Sequence, residues 1–584
     1  MNSFRQIFDF IGSKDRRGFN YYDIVVISVT VLIIWVIGAL GRDMATPFTP
    51  ESIPSLSLDY GQIPYYAARS ILRMFIAYGV SFLFTIIVGY VAVHSRRARS
   101  LILPALDILQ SVPVLGFLSI TVTGFMALFP GSSMGVELAS IFAIFTGQVW
   151  NMTFGFYHSL ITIPEDMKEA GAVFKLNAWQ KFKTFELPSS ATSLVWNSMM
   201  SFGGGWFFVV QSEAISVLNQ QIKLPGIGSY MALAIDKGDQ SAAMLATLAM
   251  VVTVVLADQL IWRPVVAWSQ KFRVEQVEST EVAKSWFLEF LKKSELVREL
   301  FVKASDSIVQ VLDQVFEYFL SRAKTKITDQ VQARKLVDVS INFLFFLCLL
   351  VIVYYSVIIV REIKTGLDLE QIKMIFNYGL LTMGRVFIVV ILATLIWTPI
   401  GVWIGFHPRV ATFAQPFVQI AASFPVNMTF PFVVGFFVAY NVPMNWGSIL
   451  LIALGTQWYI LFNVIAGASS IPTDLREAAG IFKLSKVQTW RNLIIPAIFP
   501  YWVTGACTAA GGAWNASIVA EFAKWGDKKL VADGLGAFIA QATEKGDWPA
   551  IFCSIGLMSF FVVLINRILW RRLYSLAEIR FRLD

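Results

Sequence analysis

Long apolar runs constrain this chain more than any other feature, because about 20 consecutive apolar residues cross the hydrocarbon core of a bilayer as one helix. Twelve runs of that order are legible. Six lie at Asp23–Gly41, Ser70–Val93, Leu101–Phe129, Val136–His158, Ser189–Leu218 and Ala242–Val265. Six more lie at Val337–Val360, Leu380–Gly405, Val410–Ala439, Gly447–Ala466, Ala497–Ala520 and Trp548–Ile568. Composition agrees: 56% of the 584 residues are hydrophobic and 15% charged, against about 25% charged in an average soluble domain, and the mean hydropathy is +0.63. A soluble enzyme is excluded. Cys348, Cys507 and Cys553 fall inside apolar runs, outside any CxxC or His-rich context, and read as small packing residues rather than a disulfide or zinc framework. The net charge of +8 sits largely beside apolar runs, where it sets orientation, so nucleic acid is not an expected partner.

Basic residues near helix ends stay on the cytoplasmic side. In the first half, the Lys and Arg of the N-terminal segment, of the turn at His94–Ser100 and of the loop Ser159–Pro188 outnumber those on the other side, which are Arg42, Lys223 and Lys237. The second half agrees less clearly, since Phe522–Asp547 holds lysines offset by Asp527, Asp533, Glu544 and Asp547 and reads as a folded hairpin. Both chain ends are therefore expected in the cytoplasm. Residues 1–22 read as an uncleaved tail, 23–266 and 337–572 as six-helix domains, and 573–584 as a second tail. Between the domains, 267–336 alternates charges with Trp286, Phe287, Phe290, Leu291, Leu296 and Leu300 at helical spacing, which predicts an amphipathic linker at the inner membrane face.

The two domains are copies. At an offset of 308, IPEDMKEAGAVFKL from Ile163 matches IPTDLREAAGIFKL from Ile471 at eight of fourteen positions. The same offset pairs Pro188 with Pro496, Gly203-Gly204 with Gly511-Gly512, Trp206 with Trp514, Glu213 with Glu521, Lys237-Gly238-Asp239 with Lys545-Gly546-Asp547, and Trp262-Arg263 with Trp570-Arg571. Upstream, an offset of 312 pairs Arg73 with Arg385, Gly89 with Gly401, Pro104 with Pro416 and Pro113 with Pro425. Six helices are even in number, so both copies enter the membrane from the same side as a parallel pseudo-dimer.

The best-kept segment is a loop, Ser159–Pro188 and its copy Gly467–Pro496, on the expected cytoplasmic face. A loop kept alike between diverging helices answers to a partner. It predicts a short helix entered after Pro164 and Pro472, with Glu165, Asp166 and Asp474 near its positive end and small residues behind them.

Here the sequence resembles the membrane subunits of bacterial ABC importers of type I fold, whose cytoplasmic loop carries an EAA motif, E-A-A-x3-G-x9-I-x-L-P. The resemblance covers both halves and implies an all-α protein of two tandem six-helix permease domains in the bacterial inner membrane. It also implies partners: two ABC ATPase subunits that bind ATP and Mg, docked on the two coupling helices, and an extracytoplasmic binding protein that delivers solute. By match, Glu169, Ala170 and Gly171, and Glu477, Ala478, Ala479 and Gly480, are the coupling residues. The motif's glycine is Lys175 in one half and Lys483 in the other. A non-glycine disfavours a left-handed turn, which leaves two readings: the helix runs on, or the lysines meet acidic groups on the ATPase. No G-x4-G-K-[ST] phosphate loop occurs, so no cofactor is expected on this chain and the ATPase is another chain. AGGAWNASIVAEF from Ala510 and GLGAFI from Gly534 resemble the group that imports taurine, alkanesulfonates, nitrate and bicarbonate, which implies a small anion.

For the pathway, the candidates are Gly203 and Gly204 with Trp206, Gly511 and Gly512 with Trp514 and Asn515, and the repeated cations Arg73 and Arg385, which are costly there unless they snorkel, pair or line water; snorkelling is the first expectation, and two repeated cations would suit an anion path. Glu213 and Glu521 are expected near the outer ends of the fifth helices, solvated or docking a binding protein. The competing class is an ion-gradient-driven twelve-helix transporter, which calls for buried carboxylates and has no use for a copied cytoplasmic loop. A membrane enzyme is disfavoured, since His94, His158 and His407 show no catalytic or metal spacing.

Overall fold

Local chemistry sets where the apolar runs begin and end as helices. Ser95 accepts from the Ala98 amide at 3.2 Å and starts one helix, while Asp368 and Gln371 form a reciprocal capping box at another. The computed structural model describes residues 21–44, 56–217, 220–272, 285–294 and 330–580, together with the separate positions 303, 307, 310, 311, 313 and 314. The tail expected over 1–20, most of the expected linker (Leu296 and Leu300 included) and residues 581–584 lie outside the described residues, as does the side chain of Cys348.

The first half contains α1 (Tyr21–Met44), α2 (Ile63–His94), α3 (Arg96–Ser111), α4 (Leu118–Leu128), α5 (Met134–Ile161), α6 (Glu165–Val173), α7 (Leu187–Glu213), α8 (Ile227–Lys237) and α9 (Gln240–Ala257). The second half contains α10 (Gln330–Gly366), α11 (Leu369–Gly405), α12 (Pro408–Ser423), α13 (Phe430–Ala439), α14 (Met444–Ser469), α15 (Thr473–Ile481), α16 (Ile495–Ala520), α17 (Leu535–Lys545), α18 (Trp548–Ile565) and α19 (Arg571–Arg580). The repeat read from sequence thus recurs element by element. It reaches fine detail: π-helical turns at Phe182–Glu186 and Asp258–Trp262 recur at Trp490–Ile494 and Asn566–Trp570. The copied Lys-Gly-Asp is also explained. Gly238 and Gly546 take the left-handed conformation that closes α8 and α17 (φ 64° and 69°), and Asp239 and Asp547 then cap the next helices at Ala242 and Ala550.

Among the described residues seven helices are long and apolar enough to cross a membrane, and an eighth is made if the bent pair Pro408–Ser423 and Val426–Ala439 counts as one span. Twelve straight spans are therefore not reproduced. α5 and α7 have the length, but polar residues such as Gln148, Asn151 and Gln211 dilute their hydropathy. Gln148 is fully buried and Asn151 donates to Ser201 at 3.3 Å, so these groups serve helix contacts.

The third run of each half, expected as one helix over Leu101–Phe129 and Val410–Ala439, is broken. Pro113 and Pro425 remove an amide donor and drive Val112 and Phe424 into extended backbone (ψ 125° and 128°). A 3-10 turn follows each break, at Val114–Phe117 and Val426–Thr429, and in the second half the flanking helices bend by 80°. The two turns pack reciprocally. A Cβ on Gly116 would lie 3.2 Å from Ile555 and 3.7 Å from Ile518, on α18 and α16. Asn427 Nδ2 donates to Gln211 Oε1 on α7 at 3.4 Å, and the Met428 carbonyl accepts from Thr247 on α9 at 3.4 Å.

The fifth helix of the second half ends at Ala520 as expected, whereas that of the first half stops short of the apolar pattern. The first ends at Glu213 rather than Leu218, and the chain turns into an antiparallel hairpin, β1 (Ala214–Val217) with β2 (Gln220–Lys223). The hairpin expected within Phe522–Asp547 is present as β3 (Phe522–Trp525) with β4 (Lys528–Val531), followed by α17. Contacts divide the chain into two bodies. One is built from the described parts of Met1–Ala39, Phe154–Asn197 and Leu256–Thr365, and the other from those of Leu40–Thr153, Ser198–Val255 and Gly366–Asp584. In the first, the linker forms a short helix, Trp286–Lys292, that buries Leu288, while Ser294 donates to the buried carboxylate of Asp23.

Candidate coupling surface and membrane pathway

The copied loops form the expected short helices, and what ends them departs from the sequence reading. Lys175 and Lys483 adopt left-handed backbone, φ 48° and 50°, so the helices do not run on. The Leu176 amide bonds the Gly171 carbonyl at 3.1 Å and the Lys175 amide bonds Ala172 at 3.0 Å; Leu484 with Ala479 and Lys483 with Gly480 repeat these bonds at 3.1 and 3.0 Å. This is a Schellman end, ordinarily closed by glycine. A lysine there costs about 1 kcal/mol, offset by two carbonyl bonds and by the next turn, which Asn177 and Ser485 cap through reciprocal boxes with Gln180 and Gln488.

Glu169 and Ala170 are exposed, as are Glu477 and Gly480, while Ala478 and Ala479 are half-buried. Beside them stand Val173 and Phe174, and Ile481 and Phe482, each about three-quarters exposed. Sequence reasoning passed over these apolar pairs, although both stand inside the aligned segment. Gly171 is buried, unlike its neighbours, and a Cβ there would lie 2.8 Å from the Phe185 ring. In the copy the equivalent positions are Ala479 and Leu493, so the half that has the larger residue in the helix has the smaller one at the position of Phe185. Gly171→Ala is expected to lower the thermal midpoint of the purified chain by a few degrees, and adding Phe185→Leu to return it; an unchanged midpoint for the single variant would refute the clash.

Trp179 Nε1 donates to Asp313 Oδ1 at 2.6 Å and Lys183 Nζ to Asp313 Oδ2 at 2.9 Å, which pins the linker to the first loop. Partial burial raises the Asp313 pKa, but these two donors outweigh it and hold the carboxyl below the ordinary aspartate range. The contact is therefore retained at neutral pH and lost only as pH falls through that lowered value.

Arg73 and Arg385 do not snorkel. Arg73 is fully buried; its Nε meets Glu137 at 2.6 Å and its Nη1 meets Glu213 at 2.8 Å, and Arg69 makes a second pair with Glu137. Arg385 meets Glu521 at 2.7 Å and Asn445 Oδ1 at 2.9 Å. Glu213 and Glu521, expected to be solvated or docking, are fully buried and join three elements. Glu213 accepts from Ser70 at 2.6 Å and from the Gly228 amide at 2.7 Å, and Glu521 from Thr382 at 2.9 Å and the Gly536 amide at 2.8 Å. Each thus caps the following short helix. A Cβ on Gly226 or Gly534 would collide with these carboxylates, so both glycines serve the close approach. The halves differ by a compensated exchange: Arg69 and Glu137 correspond to Leu381 and Asn445, and each cluster is neutral. Sequence reasoning missed Arg69 and Glu137 because their copies carry no charge.

The other pathway candidates divide. Trp206 and Trp514 are 1% and 2% exposed, closed into the core, so the expected aromatic lining is not formed in this conformation. Gly203 packs directly against Ser423. Gly204 and Gly512 come to one side chain: a Cβ on either would lie 3.7 or 3.6 Å from Tyr459. Tyr459 carried no sequence signal, since its copy is Asn151. Gly511 faces open space and forms a stripe with Thr504, Thr508 and Asn515 along α16, where Asn515 Oδ1 is buried with no partner among the described residues. Where α7 and α16 end, a cavity of about 270 Å³ is lined in part by Gln211, Lys223, Asp236, Lys524 and Glu544. Lys223 bonds Asp236 at 2.6 Å, and Lys524 stands 3.5 Å from Glu544.

The family model for the inner-membrane component of binding-protein-dependent transport systems matches this chain twice, at residues 81–261 and 397–575. The chain belongs to this family. The two matches fall on the two halves of the repeat, and each includes one copy of the loop. The chain is 30% identical over 168 residues to the nitrate import permease protein NrtB of Synechococcus elongatus, covering 29% of this chain and 56% of that protein. It is 27% identical over 215 residues to the bicarbonate transport system permease protein CmpB of Synechocystis, covering 35% and 68%. A putative aliphatic sulfonates transport permease, SsuC of Bacillus subtilis, is 27% identical over 185 residues, covering 30% and 63%. The chain thus spans between just over half and about two thirds of the length of these relatives. As a member of this family it is a multi-pass membrane component of a transporter, in line with the expected all-α permease.

Proposed function

We propose that this chain is the fused permease of an ATP-driven importer, one polypeptide supplying both membrane halves of the path for a small anion. The observation that carries this reading is the pair of exposed loop helices, alike in backbone down to their Schellman ends and each displaying an acidic residue and an apolar pair. Two ATPase subunits, with their ATP and Mg, dock there on the cytoplasmic side, and both chain ends lie on that side. A binding protein delivers solute at the opposite face, where the hairpins and the cavity lie.

The named relatives carry nitrate, bicarbonate or sulfonates, which supports an anion; Thr504, Thr508 and Asn515 form a polar stripe on an otherwise apolar helix, which suits a water-filled path better than lipid. Against gradient-driven transport, the buried carboxylates Glu137, Glu213 and Glu521 are each matched by an arginine, leaving no uncompensated charge in those clusters for a proton or cation to use.

Gentle affinity purification from native membranes, with copy numbers from quantitative mass spectrometry, tests the reading. Two ATPase copies per chain are expected, with a binding protein in the same eluate. A chain recovered alone, under conditions that hold known ABC assemblies together, would refute it.

A further inference from the structure

The motif position closed by glycine in the resembling family is lysine in both copies, and both lysines sit where a side chain is disfavoured. Glycine would end either helix with the same two carbonyl bonds and without strain. Strain kept in both copies points to a use for the side chain. Neither ammonium has an ion pair or hydrogen bond among the described residues, and both are exposed. A favourable interaction with the helix C-terminus does not account for the choice, since a cation elsewhere in the last turn would have it without left-handed backbone. At the same helix end Gly171 stands against Ala479 and Val173 against Ile481, while Phe174-Lys175-Leu176 and Phe482-Lys483-Leu484 are identical.

We infer that Lys175 and Lys483 are charge contacts that seat each coupling helix against an acidic rim on an ATP-binding subunit, next to the apolar socket that takes Phe174 or Phe482. This rests on the coupling reading above and adds the chemistry of the partner: both docking grooves carry carboxylates at the place where the helix ends. The left-handed backbone serves this by turning the lysine out of the helix at the point where the chain reverses.

The test compares variants of the full chain in lipid nanodiscs, titrated with its co-purifying ATP-binding subunits over a salt series. Lys175→Gly with Lys483→Gly is expected to bind roughly tenfold more weakly at low salt, as for two exposed ion pairs lost, and to converge with the unaltered chain at high salt. Its thermal midpoint is expected not to fall, because glycine relieves the backbone. Arginine at both positions keeps the affinity, and glutamate lowers it further. Glycine variants that bind like the unaltered chain at low salt would overturn the inference. Phe174→Ala with Phe482→Ala separates the two levels. If it loses binding while the glycine variants do not, only the charge contact fails; if neither loses binding, the coupling reading fails with it.

Discussion

Arg69→Leu is expected to destabilise the protein by about 3–5 kcal/mol, and Glu137→Asn to do comparable damage, whereas the two together leave stability within about 1 kcal/mol of the starting value. The reason lies in the charge count. Arg69 and Arg73 face Glu137 and Glu213 in a dry cluster, and removing Arg69 leaves two carboxylates for one guanidinium. Breaking one partner of a buried pair leaves the other without compensation, which is far worse than removing both. The double variant reproduces what the second half already contains, Leu381 and Asn445 around Arg385 and Glu521, where asparagine supplies the acceptor that the arginine still needs. Thermal unfolding of the four members of this cycle in detergent measures the coupling. Additive losses would show that the cluster is not balanced as described.

The second large effect concerns transport. Glu169→Lys combined with Glu477→Lys is expected to cut ATP-dependent uptake by roughly tenfold or more, since a like charge placed against a binding surface costs several kcal/mol. Both side chains are exposed on short helices, so stability should change by about 0.5 kcal/mol or less. Uptake into proteoliposomes, with the thermal midpoint measured on the same preparation, separates the two effects. Uptake at the level of the unaltered protein would remove Glu169 and Glu477 from the coupling assignment.

Much of the architecture was open to reading because its signals are local or copied. The apolar runs located the helices, and the repeat tied Arg73 to Arg385 and Glu213 to Glu521 long before any contact was visible. Pairing arginine with glutamate was beyond reach. Arg73 and Glu213 are 140 residues apart in the chain, and the third party, Glu137, has a neutral copy. The breaks after Ser111 and Ser423 escaped because apolar residues continue on both sides of Pro113 and Pro425, and hydropathy does not register a missing amide. Of the two readings open for Lys175 and Lys483, the continued helix fails for the opposite reason: an intrinsic preference against left-handed lysine was applied where two carbonyl bonds and a following cap override it. The exposed Phe174 and Phe482 were hidden in plain view, since an apolar residue in a membrane protein is assumed to face lipid or core until the loop around it is built.

The turn at Val114–Phe117 rests on α16 and α18, and the turn at Val426–Thr429 on α7 and α9, so each copy of the repeat completes its surface only on the other. In a transporter assembled from two separate and identical subunits, any substitution at such a site would appear at both symmetry-related contacts and have to be tolerated twice. Carried on one polypeptide, the copies always meet in a fixed one-to-one pair, and a change in one is tested against a single, different surface. Fusion thereby releases the two halves from self-complementarity. A polar stripe can stand on α16 where α7 has Trp196, Met200 and Phe207 at the equivalent positions, and a charged quartet can be traded for a charged pair, without either half having to fit a copy of itself.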